Sequence, residues 1–398
     1  MNTHKPLAGA INPYALAEVA IDKKVNWKKI ASPLALLERS LGTPADRLFD
    51  PIHHSATFAF AEMSPNGVSV KSATPLAGGS PAAGLRSRNI AGLDIPDAAA
   101  GRLAGFLGVG QAAGGNNQPY TPPNASWRDV GDYFEEGAEF MDPVQGAVGD
   151  CYLIAALASV AWSRPYVIVD QVRQSAPGQN DLLHKIQFAI NGTTVTHEVT
   201  EKVPVRTSDS AFIYARSSEA GEIWPAIYEK AYAKVRSGNT TDCPPYDPMS
   251  GGDPVAACAE VLRQGSAPAY KATSSTSSDD LWAFVRQNSL SYRTINPMTA
   301  WTYAKGEDSP DKIKYDAASG IVGWHAYSVF GWDYVNGEKY IVLRNPWGLH
   351  EGKVDVKPGA WSAYDVSFWR NVPLNASGVF SMKASAFKKY FAGIGVAK

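Results

Sequence analysis

Cys151 follows directly on Gly149-Asp150 and heads an unbroken apolar run, CYLIAALASVAW (151–162). Ala and Leu dominate that run and β-branched side chains are few, so it predicts a buried helix rather than a strand. A thiol in the first turn of a helix feels the positive end of the peptide dipoles, which favours the reactive thiolate. Free amides of the same turn can hold an oxyanion. Gly146 and Gly149 let the preceding loop take a tight path and leave the thiol open. A buried structural cysteine satisfies the same pattern, so the thiol alone does not establish catalysis. Cys243 and Cys258 lack this setting and read as packing residues.

A nucleophilic cysteine requires a base and a group that orients the base. Of His4, His53, His54, His184, His197, His325 and His350, only His325 opens a strong strand pattern, at the mouth of HAYSVFGWDYV. Asn345 ends the returning strand EKYIVLRN, and the Asn336-Gly337 pair between them is a strong hairpin signal. The hairpin brings His325 and Asn345 to one end. The Asn carboxamide oxygen can then accept from one imidazole nitrogen while the other faces the thiol, the logic of a Cys-His-Asn triad.

The elements that must position these residues occupy the later two-thirds of the chain. At 398 residues there is length for two or three domains, and 45% hydrophobic with 19% charged residues suits a folded chain. The formal charge of -1 argues against a polyanion partner such as nucleic acid. Three cysteines make neither a disulfide framework nor a zinc site, and imply reduced thiols and a cytoplasmic setting. The N-terminus has no secretory pattern, and no apolar stretch reaches the roughly 18 residues of a membrane span.

Residues 1–130 read as an extension: helical patterning including PLALLERSL (33–41), then Gly/Ala/Pro-rich sequence that buries little surface. From there a helix-rich part (131–262) includes a hairpin around Asn191-Gly192 and helices at 222–235 and 254–264. A strand-rich part (263–398) begins with a Ser-rich loop at 273–278 and closes in an expected short helix at 383–394. The fold class is therefore α+β. Signatures of other chemistries are missing: HEVTE lacks the second His of a zinc protease motif, and there is no GxSxG elbow or phosphate loop. His53-His54 reads as a solvated pair rather than a metal site.

QGAVGDCYLIAALASVA (145–161), GWHAYSVFGW (323–332) and VLRNPWG (342–348) resemble the cysteine, histidine and asparagine motifs of the calpain family. EIWPAIYEKAYAKVRSG (222–238) with SGG (250–252), and GVFSMKASAFKKYF (378–391), are similar to further parts of its core, in the same order. The Cys–His interval of 174 exceeds the roughly 130–150 of papain itself. The resemblance implies a two-lobed papain-like fold, with Gln145 and Cys151 in a first lobe (131–262) and His325 and Asn345 in a second (263–398). It implies a cysteine endopeptidase working through a thioester acyl-enzyme on protein or peptide substrates. Gln145 would support the oxyanion, and Trp347 would shield the Asn–His bond.

There are departures from the family pattern. Tyr152 stands where Trp is usual. Asp142 and Glu222 fall where two carboxylate ligands of the family's first calcium site lie. Ala363, Ser377 and Val379 replace acidic residues expected of a second site, around Gly378. Calcium is therefore optional in this reading, confined to a site that includes Asp142 and Glu222. The contrasting expectation is a catalytically silent binding or regulatory module on a protease scaffold; retention of Cys, His and Asn argues against it. Residues 1–130 could lie over the cleft and hold the enzyme latent.

Overall fold

The computed structural model describes residues 89–90, 93–94, 117–134, 138–174, 182–263, 268–363 and 371–398. The expected helix at 33–41, His53-His54 and most of the Gly/Pro-rich stretch lie outside the described residues. Apart from a two-residue ladder of Asn89–Ile90 with Leu93–Asp94, the order begins with β1 (Ala125–Arg128), α1 (Cys151–Ser163) and α2 (Tyr166–Val169). It continues through β2 (Val172–Gln174), β3 (Leu183–Ile190), β4 (Thr193–Thr200), β5 (Val203–Arg206), α3 (Trp224–Ser237) and α4 (Pro254–Leu262). The later part holds β6 (Ala269–Ala272), α5 (Ser278–Gln287), β7 (Ser289–Leu290), β8 (Arg293–Thr302), β9 (Ala326–Val335) and β10 (Glu338–Arg344). It closes with β11 (Ala360–Ser362), β12 (Asn371–Pro373), β13 (Val379–Lys383), α6 (Ala384–Tyr390) and β14 (Phe391–Val396). Helices and antiparallel strands together make the expected α+β architecture, and from residue 117 on all belong to one compact unit.

All thirteen residues of α1 are buried, which is why Ala and Leu surround it on every side and no polar stripe marks its surface. One flank meets α4 and the other meets β8 and β9. Hydrogen bonds fix its register on the sheet: Ser159 Oγ donates to Met298 O at 2.7 Å, Ser328 Oγ to Ala155 O at 2.8 Å and Trp162 Nε1 to Phe330 O at 2.7 Å. Four helical residues rise about 6 Å and two strand residues about 6.6 Å, so helix and strand advance nearly in step from Cys151–Ala326 to Ala155–Ser328.

Both Asn-Gly pairs form the tight turns expected of them. Asn191 and Gly192 (φ 50° and 76°) join β3 to β4, and Asn336 and Gly337 (φ 53° and 83°) join β9 to β10. The helix expected at 222–235 is α3, closed by Gly238 in the left-handed region. It is more deeply enclosed than its apolar face predicts: Glu229 and Lys230 are also buried. Lys230 Nζ answers that burial by donating to Thr200 O, Lys202 O and Asp242 Oδ2.

The main sheet runs β13-β10-β9-β8-β14-β6, with β7 on β8. Two of its neighbours correct the sequence reading. Downstream of the Ser-rich loop lies α5, whose Ser277 cap accepts from Asp280 N at 3.0 Å and whose Leu281, Trp282, Phe284 and Val285 are buried. The closing helix stops at Tyr390, and the chain ends as β14, between β8 and β6. Glycines hid that strand: a Cβ on Gly393 would sit 2.2 Å from the Trp301 ring, and one on Gly395 would sit 2.5 Å from Val255.

Candidate active site

Cys151 is the first residue of α1, and the Asp150 carbonyl accepts from Leu153 N and Ile154 N to start the helix. The thiol is buried, and the backbone amides of Ala326, Tyr152 and Cys151 itself favour its ionised form, against the larger effect of burial. Ala326 directly follows His325. The packing of α1 on β9 therefore brings the helix that starts at Cys151 against the strand that His325 precedes, across 174 residues of chain.

The imidazole is held from behind. His325 Nε2 lies 2.9 Å from Asn345 Oδ1, and His325 and Asn345 are both buried. Asn345 Oδ1 also accepts from Trp347 N at 3.1 Å, while its Nδ2 donates to His350 O at 3.1 Å. Those two bonds leave the carboxamide one orientation, oxygen toward the ring. Nε2 is then the protonated nitrogen, and Nδ1 is left as the base. The Trp347 ring lies 4.8 Å from the His325 ring, tilted by 47°.

Gln145 reaches the same region from the loop before α1. Its backbone amide donates to Pro346 O at 2.9 Å, tying it to the Asn345 turn, and its Nε2 donates to Val148 O at 2.8 Å. Gly146 has no space for a side chain, since a Cβ would lie 2.2 Å from the Tyr214 backbone. Tyr152 takes the place at the foot of α1, its ring filling the hollow over Gly252, where a Cβ would come within 2.4 Å.

Burial dominates the electrostatics. It pushes the Cys151 thiol up to about 12, with the Asp150 carboxylate adding to the rise, and it holds the His325 imidazole down to about 4. Both groups are therefore neutral near pH 7 in this closed arrangement, and no hydrogen bond joins them among the described residues.

A second constellation includes Asp142, three residues before Gln145 in the chain. The carboxylates of Asp142, Glu219 and Glu222 bring their oxygens within 4.8 Å of one another. Asp142 and Glu222 are the pair singled out in the sequence; Glu219 was missed, because nothing in its loop spacing marks it. Trp224 Nε1 and Glu139 N donate to Asp142 Oδ2, and Ser217 Oγ donates to Glu222 Oε2. Burial, with Glu219 and Glu139 nearby, pushes the Asp142 carboxyl up to about 6. Three hard oxygen donors that strain against one another fit a divalent cation of the calcium type. Arg344, immediately before Asn345, donates to Pro143 O at 2.8 Å and Met141 O at 2.6 Å, so the end of β10 grips the chain on both sides of Asp142.

Where the sequence departs from the family's second calcium site, Ala363 and Val379 are buried and Gly378 N, next to Ser377, donates to Glu351 Oε1. His184, outside the triad, is buried against Glu201 at 2.9 Å. No helix among the described residues is long and apolar enough to cross a membrane.

Comparison with known proteins accords with this geometry. A thiol protease of Porphyromonas gingivalis is 28% identical over 67% of this chain and 56% of its own length. The human calpain-1 catalytic subunit is 30% identical over 60% of this chain and 31% of its own length. Mouse calpain-9 is 27% identical over 67% and 38% respectively. The chain thus spans about half, or less, of the curated relatives it matches. Residues 120–398 match the family described as calpain family cysteine protease, and the chain belongs to that family.

Proposed function

We propose that this chain is a cysteine endopeptidase with Cys151, His325 and Asn345 as its triad. The observation that carries the reading is the His325–Asn345 bond at the start of β9, the strand on which α1 with Cys151 packs. Nδ1 of His325 takes the thiol proton as Sγ attacks the peptide carbonyl carbon. The oxyanion is held by the Cys151 amide and by Gln145 Nε2, which turns from Val148 O. The imidazolium then protonates the leaving amine and a thioester remains. Water, deprotonated by the same imidazole, releases the acid and restores the thiol. Trp347 keeps water from the Asn–His bond.

The neutral dyad is a resting state in this reading, and the proton passes only when thiol and imidazole come within hydrogen-bond reach of each other. The lobes are residues 131–262 and 263–398, with the peptide cleft between them. Asp142, Glu219 and Glu222 would hold a calcium ion, whose charge would relieve their mutual repulsion and firm the loop leading to Gln145. Activity without calcium is retained in part, since the carboxylates are not in the reaction path. Substrates are proteins or peptides, the setting is the reducing cytoplasm, and residues 1–130 hold the enzyme latent. A chain starting near residue 126 that is folded yet no more active than full length would rule out that last role.

The decisive test uses the full chain, with and without calcium. Iodoacetamide should label Cys151 in the native protein, and an unstructured protein such as casein should be cleaved, with Cys151→Ala silent in both assays. Neither labelling nor cleavage in either condition would sink the proposal.

A further inference from the structure

Directly behind the nucleophile lies a pair of acids that the mechanism does not use. Asp150 is wholly buried and Glu229, on α3, is 1% exposed. The Asp150 and Glu229 carboxyl groups stand within hydrogen-bonding reach of each other, with the Gln145 side chain beside Asp150. Ala215 N donates to Glu229 Oε2 at 2.9 Å. Glu229 Oε1, both Asp150 oxygens and Gln145 Oε1 are buried without a hydrogen-bond partner at ordinary distance, and the donors that act on Asp150 from further off are its own amide and the Gln145 side chain. The other titratable groups acting on the two acids are Cys151 and Tyr152 on α1, Tyr214 in the loop before α3, and Tyr246 beyond α3. None is a cation. Two ionised carboxylates in contact, out of water and without a counter-charge, would repel strongly. One carboxylic proton on Glu229 Oε1 supplies the donor that joins two of these oxygens, its own and one of Asp150.

Resting on the reading of Cys151 as nucleophile, we propose that Asp150 and Glu229 share one buried proton, the Glu229 acid donating from Oε1 to Asp150. We propose also that this pair positions both oxyanion donors and tunes the Cys151 thiol. The positioning follows from connectivity. The Asp150 carbonyl starts α1 and so aims the Cys151 amide, while its side chain borders Gln145 and is anchored on α3. The tuning follows from charge. Asp150 is the nearest anion to the thiol and opposes its ionisation. The two acids are thus positioning residues, and their protonation is felt at the sulfur.

Carboxyl spectra and thiol reactivity test the two halves separately. In the full chain with ¹³C-labelled glutamate, one Glu carboxyl should keep its protonated shift at pH 8, and that resonance should vanish in Glu229→Gln. If every Glu reports as ionised at pH 8, the shared proton is wrong, and this measurement needs no variant to fold. The pH profile of Cys151 alkylation by iodoacetamide tests the tuning in two near-isosteric variants. Asp150→Asn removes the anion beside the thiol and shifts the rising limb downward, by on the order of one pH unit for a charge close to a buried thiol. Glu229→Gln keeps both a donor to Asp150 and the Asp150 charge, and leaves the limb in place. A merely structural pair would lower stability without moving the limb in either variant. An unmoved limb in Asp150→Asn, or an equal downward shift in Glu229→Gln, overturns the tuning. No alkylation of Cys151 in any form overturns it together with the nucleophile reading, while the carboxyl spectra still decide the proton.

Discussion

His325 and Asn345 share a hydrogen bond of 2.9 Å because the ladder between their strands slips by one residue. Near the turn, Gly331 pairs with Val342; beyond the slip, Val329 pairs with Leu343 and Ser328 with Arg344, so Phe330 is the extra residue of a bulge. Carried one step further, the shifted register sets Asn345 opposite Tyr327, on the face that His325 shares with Tyr327. In the unshifted register Asn345 would stand opposite Ser328 and point to the other side of the sheet.

Replacing Asn345 with Ala removes the acceptor for His325 Nε2–H and for Trp347 N. The ring loses its fixed tautomer, and kcat should fall on the order of 100-fold, as expected for a base no longer held in place. KM should change little, because Asn345 lies behind the imidazole. Orphaned buried donors should cost about 1–3 kcal/mol of stability. Steady-state kinetics on a peptide and a thermal melt check both; kcat within twofold of wild type would show that the ring is oriented by something else.

Acid should destabilise the fold through His325. Its folded pKa is about 4, against about 6.5 when unfolded, so between those values the unfolded chain binds more protons than the folded one. Stability from the neutral imidazole is present above about 6.5 and is lost as pH falls to about 4, up to about 3 kcal/mol in all. Asp142, raised to about 6, works in the opposite sense: the folded chain binds more protons between about 3.8 and 6, so stability from it is gained as pH falls through that range. Urea titrations of wild type and His325→Gln at several pH values separate the two. The difference between them should shrink from pH 7 to pH 4; a constant difference contradicts the buried neutral imidazole.

The carboxylate cluster makes a pH-dependent claim on calcium. A proton on Asp142 competes with the ion, so affinity should drop roughly tenfold per pH unit below about 6. Thermal melts at pH 7 should rise with millimolar calcium and at pH 5 should rise much less. Asp142→Asn should weaken the response at pH 7 and flatten its pH dependence. Equal responses at both pH values would place the ion elsewhere, and no response at pH 7 would remove the site.

Much of this was legible in the residues themselves. The all-apolar α1 and the two Asn-Gly turns come from local chemistry, and such signals survive in a single sequence. The turn at Asn336-Gly337 placed His325 and Asn345 at one end of a hairpin but could not place them on one face, since a bulge leaves no local mark. Glu219 was invisible for a related reason: it meets Asp142 from 77 positions away, through tertiary packing alone. Strand β14 hid behind Gly393 and Gly395, whose small size serves Trp301 and Val255 rather than any strand propensity. Nothing in the helical pattern at 222–235 marks Glu229, and only the fold brings it to Asp150.

Two glycines in the triad hairpin separate the role of the bulge from that of the turn. Gly337 has φ 83° and open space around it, so Gly337→Ala strains only the backbone, at about 1–2 kcal/mol. The turn is distant from the site, and kcat/KM should stay within twofold. Gly331 sits beside the slip, and a Cβ there would lie 2.0 Å from Tyr292 O and 2.6 Å from the Trp361 ring. Neither neighbour can yield easily: one is backbone, and the other is a fully buried indole. Gly331→Ala must therefore move β9 itself, costing about 1–3 kcal/mol or more as overpacking, and the movement is passed along the strand to His325. Activity should fall by more than stability at the assay temperature explains, which unfolding curves and kcat/KM measured on both variants will show. If Gly331→Ala keeps full kcat/KM while folded, the slip is not what brings His325 to Asn345.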